Sequence, residues 1–264
     1  MPSLDSHELL EWEVKEILDE CIVRYNNLSF IELDPISIPH RYKKRQDIEV
    51  SALMTALISW GNRKAILQTA SAWMDMMDDQ PFEFIQSASV SEINTLSKKI
   101  YRTFQSTDMV DLISALRGVY ADHESLEELF LPGFHEGDSR DGIMHFRNTI
   151  LSFGHHPRFE KHIANPRQNG AAKRINMFLR WMVRKDNQKV DFGIWDNIPM
   201  SKLSIPLDVH TGNISRKLGI LNRKQDDWTA VQELDSVLRK WRAADPVAYD
   251  FALFGMGVEG IFND

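Results

Sequence analysis

The sequence predicts an all-α protein of two helical lobes with a groove between them, and three observations predict it. Nearly every apolar segment repeats at helical spacing. No alternating run is long enough to build a sheet, and only short pieces such as Lys189–Ile194 resemble extended chain. A stretch rich in glycine, charge and histidine, Pro132 to Gly142, reads as the loop between the lobes. With 264 residues, 43% of them hydrophobic, the chain is long enough to form one compact unit over 1–264. The expected lobes are 41–153, a helical lobe, and 1–40 together with 154–264.

The elements follow in order. Leu9, Leu10, Trp12, Val14, Ile17 and Leu18 form a first amphipathic helix, with Ser6 as its candidate N-cap. Prolines 35 and 39 break the chain between Asp34 and His40. A second helix starts near Asp47, runs through Val50, Leu53, Met54, Leu57, Ile58 and Trp60, and stops at Gly61. A third runs from Asn62 or Arg63 to about Met77, with Ile66, Leu67, Ala70 and Trp73 on one side. Helical spacing returns around 92–104, 108–121, 124–130 and 143–153. There is no internal repeat and no low-complexity segment.

Composition excludes several classes. Cys21 is the only cysteine, so the chain closes no internal disulfide and builds neither a cysteine zinc site nor an iron–sulfur cluster. No apolar run approaches the roughly 20 residues of a membrane span, and the acidic N-terminus does not resemble a signal peptide. The expected location is the cytoplasm, with no membrane partner and no metal or other cofactor.

The net charge of −7 is unevenly spread. Lys161 to Lys224 holds thirteen basic and four acidic residues, a net of +9, which leaves −16 for the rest of the chain. Such concentration suits a face that meets a polyanion, or alternatively a solvated basic helix face.

Three blocks are candidates for chemistry. In NGAAKRINMFLRWMVRK (169–185), Asn169 or Gly170 opens a helix whose apolar face is Ile175, Phe178, Leu179 and Met182. Lys173, Arg180 and Arg184 share a different face. Lys173 lies in the first turn, where the helix dipole disfavours a cation, a useful place for a nucleophilic amine. In IPLDVHTGNISRKLGI (205–220), Asp208 is placed as an N-cap and held rigidly near a helix N-terminus, and Gly219 ends the helix. His210 has no second ligand beside it and reads as a hydrogen-bonding residue. In DPVAYDFALFGMGVEG (245–260), Asp245–Pro246 starts a helix, Phe251, Leu253 and Phe254 pack, and glycines 255, 257 and 260 end it, the first two allowing close backbone approach.

A glycine turn, a lysine opening a helix, and a proline-flanked L-D-x-H at the next helix: this order resembles the helix-hairpin-helix superfamily of DNA base-excision glycosylases, nearest in look to its 8-oxoguanine glycosylase/lyase branch. Phe178–Leu179–Arg180 sets the register, which puts Lys173 at the catalytic lysine position and Asp208, with His210 as motif histidine, at the catalytic aspartate. The block EVSALMTALISWGNRKAI (49–66) is similar to the family's early helix and following turn, where Asn62 and Arg63 would enter the DNA. The resemblance covers about residues 47–78 and 160–260, and the whole chain also resembles a bacterial family of unknown function.

The resemblance implies the two-lobed glycosylase fold, double-stranded DNA as partner, and repair of an oxidised purine such as 8-oxoguanine through a lysine Schiff base. Gly170, Arg174, Arg180, Arg216 and Lys217 would then join Asn62, Arg63 and His210 in contacting nucleic acid. Trp60, Trp181 and Trp195 are candidates to stack on a base, though packing is the commoner role. The chain departs from the pattern in two ways: Lys173 and Asp208 stand 35 residues apart, so an insertion around Arg184–Lys202 is expected to loop out, and the hairpin has the single glycine Gly170. Two other readings stay open, a nucleic-acid-binding protein without the chemistry and an interaction protein whose basic segment pairs internally with its acidic lobe.

Overall fold

The structure is a computed structural model that describes residues 9–96 and 101–261. All of its regular elements are helical, and among the described residues the only sheet-like pairings are isolated bridges, Tyr101 with Phe104 and Gly170 with Asp227. The α-helices are α1 (Glu11–Tyr25), α2 (Arg45–Ile58), α3 (Arg63–Met76), α4 (Pro81–Ser87), α5 (Val90–Leu96) and α6 (Ser106–Asp122). They continue as α7 (Leu131–Glu136), α8 (Ser139–Ser152), α9 (Lys173–Val183), α10 (Val209–Lys217), α11 (Trp228–Trp241) and α12 (Tyr249–Val258). None of them is long and apolar enough to cross a membrane.

Helix α2 is the centre. From Ile48 to Ile58 every residue is buried, so its polar groups must find partners inside the protein. Ser51 donates back to the Asp47 carbonyl at 2.6 Å and Ser59 to that of Thr55 at 2.8 Å. Glu49, wholly buried, accepts from the Trp195 indole at 2.7 Å, the Ser125 hydroxyl at 2.5 Å, the Tyr120 hydroxyl at 2.8 Å and the Leu126 amide at 3.0 Å. One carboxylate thereby ties α2 to α6, to the turn before α7 and to the chain after α9.

Helix α9 packs on α2 and is buried from Ile175 through Val183. Its last carbonyls, orphaned by the helix end, accept from the following chain: Trp181 from Phe192 at 2.8 Å and Met182 from Trp195 at 3.0 Å. The segment expected to loop out around Arg184–Lys202 is therefore part of the core. Val190, Trp195 and Ile198 are buried there, and removing them from water outweighs the cost of ordering an irregular stretch.

Helix α12 lies against α1 and α10. A Cβ at Gly257 would come 2.7 Å from the His210 Cβ, so the glycine lets the two helices approach closely. Gly255 and Gly257 lie within α12 rather than ending it, and Gly260, at φ +69°, follows its last turn.

Other expectations are corrected. Pro132 to Gly142 is helix, not a loop: Pro132 occupies the first turn of α7, where its missing N–H costs nothing, and Asp138 caps α8 by accepting from the Arg140 amide at 2.9 Å. Gly133 lets α7 meet the α8 backbone at Asp141. Helices α4 and α11 were not foreseen. The segment 124–130 forms a 3₁₀ turn, Leu126–Leu129, and Ser6 lies outside the described residues, as does 97–100 of the helix expected over 92–104.

Glu49→Ala is expected to destabilise the protein by about 3–5 kcal/mol, because it strands several buried donors. Urea unfolding of the variant beside wild type measures it.

Candidate active site

Two pinned elements converge on one cavity of about 900 Å³. Before α9 the chain makes two left-handed residues, Asn169 at φ 63° and Ala172 at φ 51°. Asn169 is anchored to the start of α11: its carbonyl accepts from Trp228 at 3.1 Å and its side-chain amide donates to Asp227 at 2.9 Å. This turn fixes where Lys173 begins α9. On the far side, Asp208 caps α10 by accepting from the amides of His210 at 2.9 Å and Thr211 at 3.0 Å, which locks its carboxylate.

Lys173 Nζ then stands 3.7 Å from Asp208 Oδ2 and donates to the Ser59 carbonyl at 3.4 Å. Both side chains line the cavity. Residues 35 positions apart in sequence thus meet at its wall.

Beneath them is a buried ion network. Arg180, 3% exposed, reaches Asp191 at 3.2 Å and makes a short contact with Asp250, while its guanidinium sits 4.4 Å from the Phe251 ring centre. Arg184 continues the network to Asp191 at 3.2 Å, Asp245 at 3.0 Å and Asp186 at 2.8 Å. Thr211 donates to Asp250 at 3.5 Å, which carries the network to α10. Burial pushes the Asp250 carboxyl up to about 6, against the opposing pull of Arg180, with Asp208 adding to the rise and Lys173 working against it.

Other cavity groups are also perturbed by burial. Burial pulls the Arg174 guanidinium down to about 10, and its donors go to the carbonyls of Leu57 and Lys161 rather than to a carboxylate. Asp34 is raised by burial, which outweighs the Ile36 amide and the more distant Arg180, Arg63 and Lys173. Phe30, Trp60 and Phe254 supply aromatic surface to the lining. Trp60 is 38% exposed, with the Arg102 guanidinium 4.5 Å from its ring centre and its carbonyl held by the Tyr101 hydroxyl at 2.7 Å. Arg63 lies 5.2 Å from the Phe254 ring centre. Among the described residues no group of three or more His, Cys, Asp or Glu side chains is arranged to hold a metal ion.

Of the residues singled out from sequence, Lys173, Asp208, Arg63, Gly170, Arg174, Arg180 and His210 all line this cavity. Asn62, Arg216 and Lys217 are not part of its lining. Asn62 caps α3 through the Ala65 amide at 2.9 Å, Arg216 pairs with Asp226 at 2.6 Å, and Lys217 is exposed at the end of α10. Arg180 belongs to the lining yet is almost wholly buried, enclosed by two carboxylates and the Phe251 ring. Trp181 and Trp195 are buried in the core and present no face to a base. Much of the basic stretch is paired internally, including with acids from outside it such as Asp226, Asp227, Asp245 and Asp250.

Sequence reasoning missed Asp34 and Asp250. The signal for Asp250 was present, since it is the one charged residue in the otherwise apolar YDFALFGMGV of α12. Asp34 stands directly before Pro35 and reads as a cap.

The fold and site define an all-helical protein with a lysine and a capping aspartate facing each other across a cleft lined with aromatic and charged groups. The family model of a protein of unknown function, DUF2400, matches residues 34–259, and the chain belongs to that family. Comparison with curated proteins and with solved structures gives no match.

Since the folded protein holds the Asp250 proton more tightly than the unfolded chain, this group's contribution to stability is full below about pH 4 and is lost as pH rises through about 6. The unfolding free energy of wild type minus that of Asp250→Asn should fall by about 1–3 kcal/mol between about pH 4 and pH 7, as read from denaturation at each pH.

Proposed function

We propose that this protein is a DNA-repair glycosylase with associated abasic-site lyase activity, acting on an oxidised purine such as 8-oxoguanine, and that its helices form the two-lobed fold of that superfamily. The observation that carries the reading is the approach of Lys173 Nζ to 3.7 Å from Asp208 Oδ2 on the wall of a ligand-sized cavity. These are the residues to which the sequence resemblance assigns the chemistry.

In this reading a damaged nucleotide leaves the duplex, at a cost of about a few kcal/mol, and its base enters the cavity among Phe30, Trp60 and Phe254. The unprotonated amine of Lys173 attacks the sugar carbon that carries the base. The carbon–nitrogen bond to the base breaks, and the base leaves with that electron pair and gains a proton. Asp208 stabilises the positive charge that develops on the sugar and takes up the proton that the lysine nitrogen gives up. Ring opening yields the Schiff base, and loss of a proton from the neighbouring carbon expels the 3′ phosphate and nicks the strand. Asp208 is fixed by two backbone amides, so its orientation costs no reorganisation during the reaction.

One observation favours a second reading, a nucleic-acid-binding protein without the chemistry. The chain before the Asn169 turn is 3₁₀ helix, Pro157–His162 and Pro166–Gln168, so an α-helix flanks that turn on one side only. This reading predicts salt-sensitive duplex binding that Lys173→Gln barely changes.

Borohydride trapping on duplexes carrying 8-oxoguanine, uracil, an abasic site or no lesion separates the two. Wild type is expected to give a lesion-dependent covalent adduct that Lys173→Gln abolishes; an undiminished adduct in the variant overturns the lysine assignment. Asp208→Asn tests the charge apart from the fold, because asparagine caps a helix about as well as aspartate. Its melting temperature should stay close to wild type while single-turnover base release slows by about 100-fold or more.

A further inference from the structure

The cavity has a wall that the sequence resemblance does not reach. Residues 28–35, outside the segments that resemble the glycosylases, fold as 3₁₀ turns and bring Phe30, Asp34 and Pro35 to the lining that also holds Lys173 and Asp208. Asp34 is only 7% exposed. Its Oδ1 accepts from the Ile36 amide at 3.0 Å, which fixes the side chain as the cap of the next turn. Among the described residues no donor reaches its other oxygen, Oδ2, and no cationic group lies within ion-pair distance of it. Asp34 belongs to the cavity lining, so a ligand that fills the cavity displaces water from this oxygen and must offer it donors in return. An acceptor of this kind, on a rigidly capped side chain, is a group placed for a ligand.

The chemistry of that ligand follows. An oriented acceptor selects a partner that presents N–H groups. The Watson–Crick edge of a guanine-type base carries adjacent N–H donors, at the ring nitrogen and the exocyclic amine, and no other common base offers two such donors side by side. A uracil edge has one N–H between two carbonyl oxygens, and these would face the carboxyl as acceptor against acceptor. Phe30 extends the same wall with an aromatic edge that is itself held by T-shaped contacts to Phe251 at 5.2 Å and Phe254 at 6.2 Å. The wall is therefore preorganised, with a flat apolar surface beside one fixed polar group.

We propose that Asp34 is the base-reading residue of this cavity, its Oδ2 accepting the adjacent N–H donors of a guanine-type purine and so setting the preference for such a base over a pyrimidine. The inference rests on the glycosylase reading and adds to it a residue that chooses the substrate without taking part in bond breaking.

Asp34→Asn is the test, because asparagine keeps the oxygen that accepts from Ile36 and puts an N–H donor where the free acceptor was. Two rates are compared in wild type and variant: single-turnover release of 8-oxoguanine, and borohydride trapping at a preformed abasic site, which has no base to read. The ratio of base release to abasic trapping is expected to fall by about 30-fold or more, the order seen when a site loses a buried hydrogen-bond partner for its substrate. A merely structural role would lower both rates together and leave the ratio within about 3-fold of wild type; that result overturns the proposal. The failure of the glycosylase reading shows separately, as wild type that traps at no abasic site.

A binding measurement keeps the inference decidable in that case. In a Lys173→Gln background, fluorescence titrations compare duplexes with 8-oxoguanine, uracil or a tetrahydrofuran abasic analogue. Tighter binding of the 8-oxoguanine duplex that Asp34→Asn abolishes supports the assignment. Equal binding of all three duplexes, or a preference that survives the substitution, overturns it.

Discussion

The structure turns on the charge that α9 carries inward. Arg180 is on the inner side of α9, which is buried from Ile175 through Val183, and Arg184 is buried just past its end, so two guanidinium groups have to be neutralised without water. Four carboxylates do so, from three places: Asp186 and Asp191 after α9, Asp245 before α12 and Asp250 within it. Asp186 also accepts from the Asn26 amide at 2.6 Å, which brings in the end of α1. A buried pair of this kind adds little net stability compared with an apolar core, but it punishes any arrangement in which a partner is missing. The chain from 184 to 208 is thereby committed to lie under α9, and that course delivers Asp208 opposite Lys173.

The same network shapes the electrostatics of the cleft above it. Asp208 stands at a helix N-terminus beside a lysine, Asp250 is buried against an arginine, and Asp34 is buried with a single amide for company. Three carboxyls within one cavity thus have three different environments, which is the usual way a protein assigns different tasks to identical groups. The cations are divided likewise. Lys173 meets a carboxylate, Arg180 is held among buried carboxylates at the lining, and Arg174 rests on backbone carbonyls with its donors directed at Leu57 and Lys161.

Much of this was legible in the sequence, and what was not has physical reasons. Helical periodicity located α1, α2, α3, α6, α8, α9 and α10 closely, because each buries a clear stripe. It missed α11, whose apolar positions Val231, Leu234 and Leu238 do repeat at helical spacing, and it took Pro132 for a loop although a proline in a first turn is compatible with a helix. Within the site, Lys173 and Asp208 could be singled out since each sits at a helix start marked by local signals. Asp250 stands out only as the lone charge in an apolar helix, which does not say what it faces, and nothing within a few residues of Asp34 says that its carboxylate faces a cavity. The concentration of basic residues over 161–224 was real, yet its partners were hidden: Asp226, Asp227, Asp245 and Asp250 follow it in sequence and fold back onto it.

Gly257 has a consequence for motion. Where it lies against His210, the backbones of α12 and α10 nearly touch, with no side chain between them to act as a bearing. Helices in such contact cannot slide or tilt independently without collision, so the wall that carries Asp208, His210 and Phe254 behaves as one stiff plate. Phe30 rests its ring against Phe251 and Phe254 of that plate, at 5.2 and 6.2 Å between ring centres, so the turn leading to Asp34 is braced by the same surface.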